Sequence, residues 1–138
     1  MNGEGITNTE YDWCIATLED SFSSYYFDCD IAISSIESEQ ILLTGYPRGD
    51  NDEYLFGLFW SGGDAVAYDG TMITHTADST NGQSGAPIWT NGITGDFQVY
   101  GIQIGGLVYE DTNVGIENYA RAITPNIYNA IVEIMLDS

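Results

Sequence analysis

Ala65-Val66-Ala67-Tyr68-Asp69-Gly70-Thr71-Met72-Ile73-Thr74 reads as two short strands folded back on each other. Asp-Gly between apolar runs is a strong hairpin signal, because glycine accepts the positive φ that a two-residue turn requires. Working outward, Gln40-Ile41-Leu42-Leu43-Thr44-Gly45-Tyr46-Pro47 predicts a strand closed by a Pro-Arg-Gly-Asp-Asn-Asp turn cluster. Glu53 to Trp60 alternates imperfectly, and Gly62-Gly63 reads as a turn leading into Ala65. Pro87-Ile88-Trp89, Phe97 to Val108 and Tyr119 to Ile123 are further strand candidates. Tyr11 to Leu18 is another, with Trp13, Ile15 and Ala16 as its core residues. Only the end reads as a helix. Thr124 is its N-cap, Pro125 suits the first helical position, and Ile127, Ile131, Ile134 and Met135 share one stripe, with Met135 and Leu136 read as packing residues.

Six or seven short strands with glycine-rich turns and one terminal helix define an all-β fold class. The expected architecture is an antiparallel Greek-key β-barrel of six strands across residues 41–123, with the helix of residues 125–136 on its outside. Strand count alone leaves a β-sandwich open. Nothing reads as the helical crossovers of a doubly wound sheet.

At 138 residues, with 43% hydrophobic and 13% aromatic residues, the chain has the material for a packed core. Its charge is extreme: 21 acidic residues, two arginines and no lysine give a formal net charge of −19. Such a surface repels nucleic-acid phosphates and anionic lipid, so neither is an expected partner. High salt or bound cations would screen the self-repulsion, which suits a halophilic source. No apolar run reaches the roughly 18 residues of a membrane span, and the polar opening Met1-Asn2-Gly3-Glu4-Gly5 is no signal peptide, as at an internal point of a longer precursor. Cys14 and Cys29 permit one disulfide, worth about 3 kcal/mol by chain entropy, or two free thiols. With His75 they are too few for a structural zinc site, and no metal or cofactor is expected.

The chemistry-bearing stretch is Asn81-Gly82-Gln83-Ser84-Gly85-Ala86-Pro87. A serine hydroxyl is a poor nucleophile without a base to take its proton and donors aimed at the developing oxyanion. Glycines on either side of Ser84 permit a tight turn on which two backbone N–H groups converge. By itself the string is also a common turn sequence. It is not the nucleophile elbow of the α/β-hydrolases, because Ala86 stands where that motif needs glycine.

The longer stretch from His75 to Trp89 resembles the serine region of the glutamyl endopeptidase branch of the chymotrypsin-like serine proteases. The resemblance extends to Leu43-Thr44-Gly45-Tyr46-Pro47, to Gly101-Ile102-Gln103-Ile104-Gly105-Gly106, and to Asn118 to Thr124 with the terminal helix. Upstream, Tyr11-Asp12-Trp13-Cys14-Ile15-Ala16 is similar to the segment carrying the triad aspartate. The resemblance implies a secreted serine endopeptidase working through an acyl-enzyme on Ser84, with peptide or protein as substrate. Asp12 would be the acid that orients the histidine, and the Gly82 and Ser84 amides the oxyanion hole. Ile104, Gly105 and Gly106 would form the edge that pairs with bound peptide, and Asp78, Ser79 and Gln103 the walls and base of the specificity pocket.

Two departures from that pattern matter. The family places its base in a first barrel, well before the aspartate, whereas His75 precedes Ser84 by only nine residues and reads as structural or pocket-lining. Residues 1–38 would thus be a remnant of a first barrel and residues 39–138 a second barrel with its helix. The chain would be a fragment, one part of a two-part enzyme whose other part carries the histidine, or a non-catalytic peptide-binding relative. The isolated chain is expected to be inactive. Second, Gln103 stands where glutamate-selective relatives carry histidine. It can hydrogen-bond a carboxylate without supplying charge. An inward Asp78 would favour Arg or Lys; an outward one would leave Gln103 and Ser79 as a neutral site for Gln or Glu.

Overall fold

Strand pairing dominates the computed structural model, which describes residues 11–19, 27–49, 53, 55–91, 96–108 and 115–137. The polar first ten residues, the Ser-Phe-Ser-Ser-Tyr-Tyr stretch and the tip of the turn cluster at residues 50–52 lie outside the described residues. In chain order the elements are β1 (Asp28–Cys29), a 3-10 turn (Ser34–Ile36), β2 (Gln40–Gly45), β3 (Phe59–Tyr68), β4 (Met72–His75), β5 (Pro87–Asn91), β6 (Phe97–Val108), β7 (Gly115–Ala122) and α1 (Pro125–Asp137).

The sheet runs β1-β6-β5-β2-β3-β4-β7, and β6 also pairs with β7. Strands β2 to β7 therefore close into a six-stranded antiparallel barrel, and the sandwich alternative falls away. The spatial order β2-β3-β4-β7-β6-β5 is two three-stranded meanders joined by the β4–β5 connection. Closure leaves no long unpaired edge between β2 and β7. Strand β1 adds a short parallel pairing, Asp28 to Gln98 and Cys29 to Val99. Two backbone bonds continue that attachment, from Asp30 N–H to the Val99 carbonyl (3.0 Å) and from Ala32 N–H to the Ile123 carbonyl (2.9 Å).

Alternation dictates the interior. Along β2 the side chains of Ile41 and Leu43 are buried while those between them are partly exposed. Ala65, Ile73, Ile88, Ala120 and Ala122 meet them inside, and Ala32 and Ile36 join from the segment before β2. The Asp69-Gly70 turn forms as read: Gly70 has φ +93°, and the Asp69 carboxylate accepts the N–H groups of Thr71 (2.8 Å) and Met72 (2.7 Å).

Three expectations are corrected. Gly62-Gly63 is not a turn but the middle of β3, opposite Leu42 and Ile41. Glycine is required there for approach rather than for turning: a Cβ on Gly63 would overlap the backbone of Ala77, its Cα at 2.6 Å. Residues Tyr11 to Leu18 are not a strand. No described strand pairs with them, and the Trp13 N–H bonds instead to the Tyr11 carbonyl at 2.9 Å. In α1 only Ile127 is buried, Ile131 and Ile134 are half-buried, and Met135 and Leu136 are exposed, so the apolar tail is not packed as expected. Both cysteines are free thiols. Burial first, and the Asp28 charge second, push the Cys29 thiol up, which keeps it protonated at neutral pH.

The two adjacent glycines of β3 make a paired test. Gly63→Ala is expected to destabilise by about 1–3 kcal/mol, since backbone rather than a pliable side chain must move. Gly62→Ala meets its nearest atom, Leu42 Cδ2, at an ordinary 3.6 Å and is expected to stay within about 0.5 kcal/mol. Urea unfolding midpoints of the two variants are the measurement.

Candidate functional site

The loop between β4 and β5 carries Ser84. Gly82 (φ +92°) and Gly85 (φ +89°) bracket it, and both adopt backbone that a side chain disfavours. The loop is held from three sides. Arg48 N–H donates to the Asn81 carbonyl at 2.6 Å. The buried Gln83 accepts the Thr80 N–H through its side-chain oxygen at 2.8 Å, and its carbonyl accepts the Ala86 N–H at 3.0 Å. Gly85 N–H donates to the Gln103 carbonyl, and Gln103 N–H donates to the Ala86 carbonyl, each at 2.8 Å. Ser84 itself is exposed at the tip, and neither its N–H nor that of Gly82 has a partner among the described residues.

Beside Ser84 opens a groove of about 450 Å³, lined mainly by apolar groups that include Phe27, Tyr46, Leu58, Pro87 and Trp89 together with the glycines of the serine turn. Trp89 is fixed by a hydrogen bond from its indole N–H to the Thr44 hydroxyl at 3.0 Å. Phe27 stands edge-on to it with ring centroids 5.3 Å apart, and Phe97 completes the cluster. Phe27, just ahead of β1, thereby forms part of the groove wall. Sequence reading missed this, because the aromatic run Tyr25-Tyr26-Phe27 in a Ser-rich connector has no strand or helix period to announce it.

Under the β4–β7 side lies a polar network. His75 is fully buried, and its Nε2 lies 2.8 Å from Gln103 Oε1. The Gln103 amide nitrogen donates to the Ser79 hydroxyl (3.1 Å) and to the Gly105 carbonyl (3.0 Å). Ser79 in turn donates to Asn118 Oδ1 at 2.6 Å, and the Asn118 amide nitrogen donates to the Ala77 carbonyl at 2.8 Å. Since both Gln103 N–H groups are engaged, His75 must be the donor toward Oε1, which makes Nε2–H its tautomer. Its Nδ1 is then a buried lone pair with no partner among the described residues. Burial lowers the His75 pKa, with the Gln103 bond pulling weakly the other way.

The expected residues are therefore partly gathered. Ser84 and Gly82 share the groove, while Ser79, Gln103 and Gly105 share the network, and Gly106 lies against it, because a Cβ there would overlap the Asn118 side-chain oxygen. Ile104, between them on β6, is half-buried. Gln103, expected to meet a bound side chain, is 2% exposed, and its amide is engaged by His75, Ser79 and Gly105 inside the barrel. Asp78 is exposed, and its backbone carbonyl accepts the Ser61 hydroxyl at 2.6 Å. Asp12 is exposed on the irregular segment, and among the described residues nothing joins it to His75 or Ser84. Asn118 was overlooked as a site residue. Its register opposite His75 on β7 is invisible before the strands are paired.

No protein-family model and no curated protein matches the chain. Among the described residues no cluster of metal-ligating side chains is present, and no helix is long and apolar enough to cross a membrane.

The single histidine makes the network measurable. Its folded pKa lies below its ordinary 6.5, so the unfolded chain binds the proton more readily. The His75 contribution to stability is fully present above pH 6.5, falls as the pH drops from there toward the folded pKa, and loses nothing further below it. An imidazole NMR titration should give a midpoint below 6.5; a midpoint at or above it would contradict the buried neutral tautomer.

Proposed function

We propose that this barrel carries the serine side of a trypsin-like serine endopeptidase site, with Ser84 as the nucleophile. The observation that carries the reading is an exposed serine on a rigid turn between two positive-φ glycines, on the wall of a groove. The same turn offers the Gly82 and Ser84 N–H groups to an oxyanion. The strand order β2-β3-β4-β7-β6-β5 supports it, since it suits a Greek-key protease barrel. A peptide would lie along Ile104, Gly105 and Gly106 with its leaving segment toward the apolar groove. Attack by Ser84 Oγ on the scissile carbonyl would give an acyl-enzyme and release the amine, and water would complete hydrolysis. In this reading the protein is secreted.

No described residue supplies the base. His75 is sealed in the barrel with Nε2 engaged. The base is assigned to a histidine on another segment or chain, which would also draw Asp12 into place as its orienting acid. The locked His75 and exposed Asp12 favour a second reading as well, a peptide-binding relative without turnover.

A fluorophosphonate probe separates these. The purified 138-residue chain should label at Ser84 no faster than a denatured control, since loss of general-base assistance costs orders of magnitude in rate. Supplying a histidine-bearing partner barrel should restore labelling, and Ser84→Ala should abolish it. Labelling of the isolated chain would show that a base is already present. No labelling with the partner supplied would favour the binding relative.

A further inference from the structure

We propose that the strip formed by Ser79, Gly105 and Asn118 is a hydrogen-bond-acceptor site that takes a cationic side chain, lysine or arginine, of a bound peptide. This rests on the peptide-binding reading above and names the side-chain class its pocket would accept.

The inference comes from the direction of the buried hydrogen bonds. Asn118 must present its oxygen to Ser79, because its nitrogen donates to the Ala77 carbonyl. Gln103 must present its nitrogen to Ser79, because the same nitrogen donates to the Gly105 carbonyl and its oxygen faces His75. Ser79 therefore receives a proton from Gln103 and gives its only proton to Asn118, in a 2.6 Å bond. A hydroxyl has one proton and two lone pairs. What Ser79 has left, on a half-buried position, is a lone pair. Beside it Gly105 leaves room, since a Cβ built there meets nothing within 4 Å.

A carboxylate placed in that space would meet an oxygen lone pair and no hydroxyl proton. Accepting it would require Ser79 to break its bond to Asn118. An ammonium or guanidinium would be accepted without rearrangement. The exposed carboxylate of neighbouring Asp78 and the net charge of −19 favour a cation at longer range. His75 is then a positioning residue: its Nε2–H holds the Gln103 oxygen while the Gly105 carbonyl holds the amide nitrogen, and together they set the polarity of a site that His75 does not touch.

The test uses the intact chain and three small probes, ethylguanidinium, n-butylammonium and glutarate, followed by backbone amide NMR at salt high enough to screen the surface. Both cations should saturably shift Ser79, Gly105, Gly106 and Asn118, and glutarate should not. Ser79→Ala should weaken cation binding about tenfold, as loss of one charge-assisted hydrogen bond would. Asn118→Leu frees the hydroxyl proton and should bring glutarate binding to the same amides, with the imidazole signal of His75 confirming that the barrel is folded. Glutarate binding to the unaltered chain would overturn the proposal. So would cation shifts spread over the acidic surface, or cation binding that survives Ser79→Ala and is lost in Asp78→Ala. Paired pentapeptides differing only in Arg or Glu then test the underlying reading. Cation binding at Ser79 with neither peptide bound would uphold the site's polarity and refute the peptide-binding function, whereas tighter binding of the Glu peptide would refute the polarity.

Discussion

Gln103 is the residue on which both halves of the site depend. Its backbone accepts from Gly85 and donates to Ala86, which sets the height of the serine turn over β6. Its side chain gathers His75, Ser79 and the Gly105 carbonyl within one amide. One buried position thus ties the loop carrying Ser84 to the strip carrying Ser79. A buried amide with all its strong partners satisfied is stabilising and specific, whereas one left half-satisfied would cost about 1–3 kcal/mol. The network is not closed, however: His75 Nδ1 is its single unmatched atom among the described residues, and that makes the ring the natural weak point when protons are added.

Around this polar belt the interior is apolar, with small residues interleaved among Ile41, Leu43, Ile73 and Ile88. Alanines at 65, 77, 120 and 122 and a glycine at 101 replace bulk with close approach. A Cβ on Gly101 would sit 3.0 Å from the Arg121 carbonyl and 3.3 Å from Ile73 Cδ1. Gly45 shows the same economy nearer the site, where an added Cβ would come within 2.8 Å of Ala86 Cβ. Strand β2 is thereby held against the start of β5, where the serine turn of the β4–β5 connection ends. The rigidity of the site comes from missing side chains as much as from those present.

Much of the fold was legible because its signals are local. Asp69-Gly70 is a hairpin signal contained in two residues, and β6 matches a run of strand-forming residues interrupted only by Gly101, Gly105 and Gly106. Pro125 likewise opens the helix where its fixed φ suits it. What failed was non-local. Gly62-Gly63 has the composition of a turn, and only the passage of Thr76-Ala77 across it reveals why a strand needs glycine there. Tyr11 to Leu18 has strand composition but no described partner, and a strand without a ladder is not a strand. The site shows the same division. Ser84 and its glycines were readable as a motif. The role of Asn118 and the commitment of the Gln103 amide depend on register between β4, β6 and β7, which no single segment encodes.

The placement of charge and apolar surface bears on how such a molecule finds a partner. One of the two arginines, Arg121, is buried with its guanidinium donating to the Thr71 carbonyl at 2.6 Å. The other, Arg48, packs its stem against Gly82 at the serine turn. The exposed aromatic and aliphatic residues are not scattered evenly. Leu55, Phe56, Leu58, Phe59 and Trp60 follow one another into β3, and Leu58 lines the groove beside Ser84. The net charge resists self-association, while the apolar rim leaves a face on which the cationic partner proposed above would lie. In that proposal the charges of a peptide rich in Lys or Arg would be drawn by the surface, and its aliphatic stems would lie on the rim. Electrostatics of this kind would act mainly on the rate of encounter and weaken with salt, leaving the choice among bound side chains to the short-range polarity around Ser79.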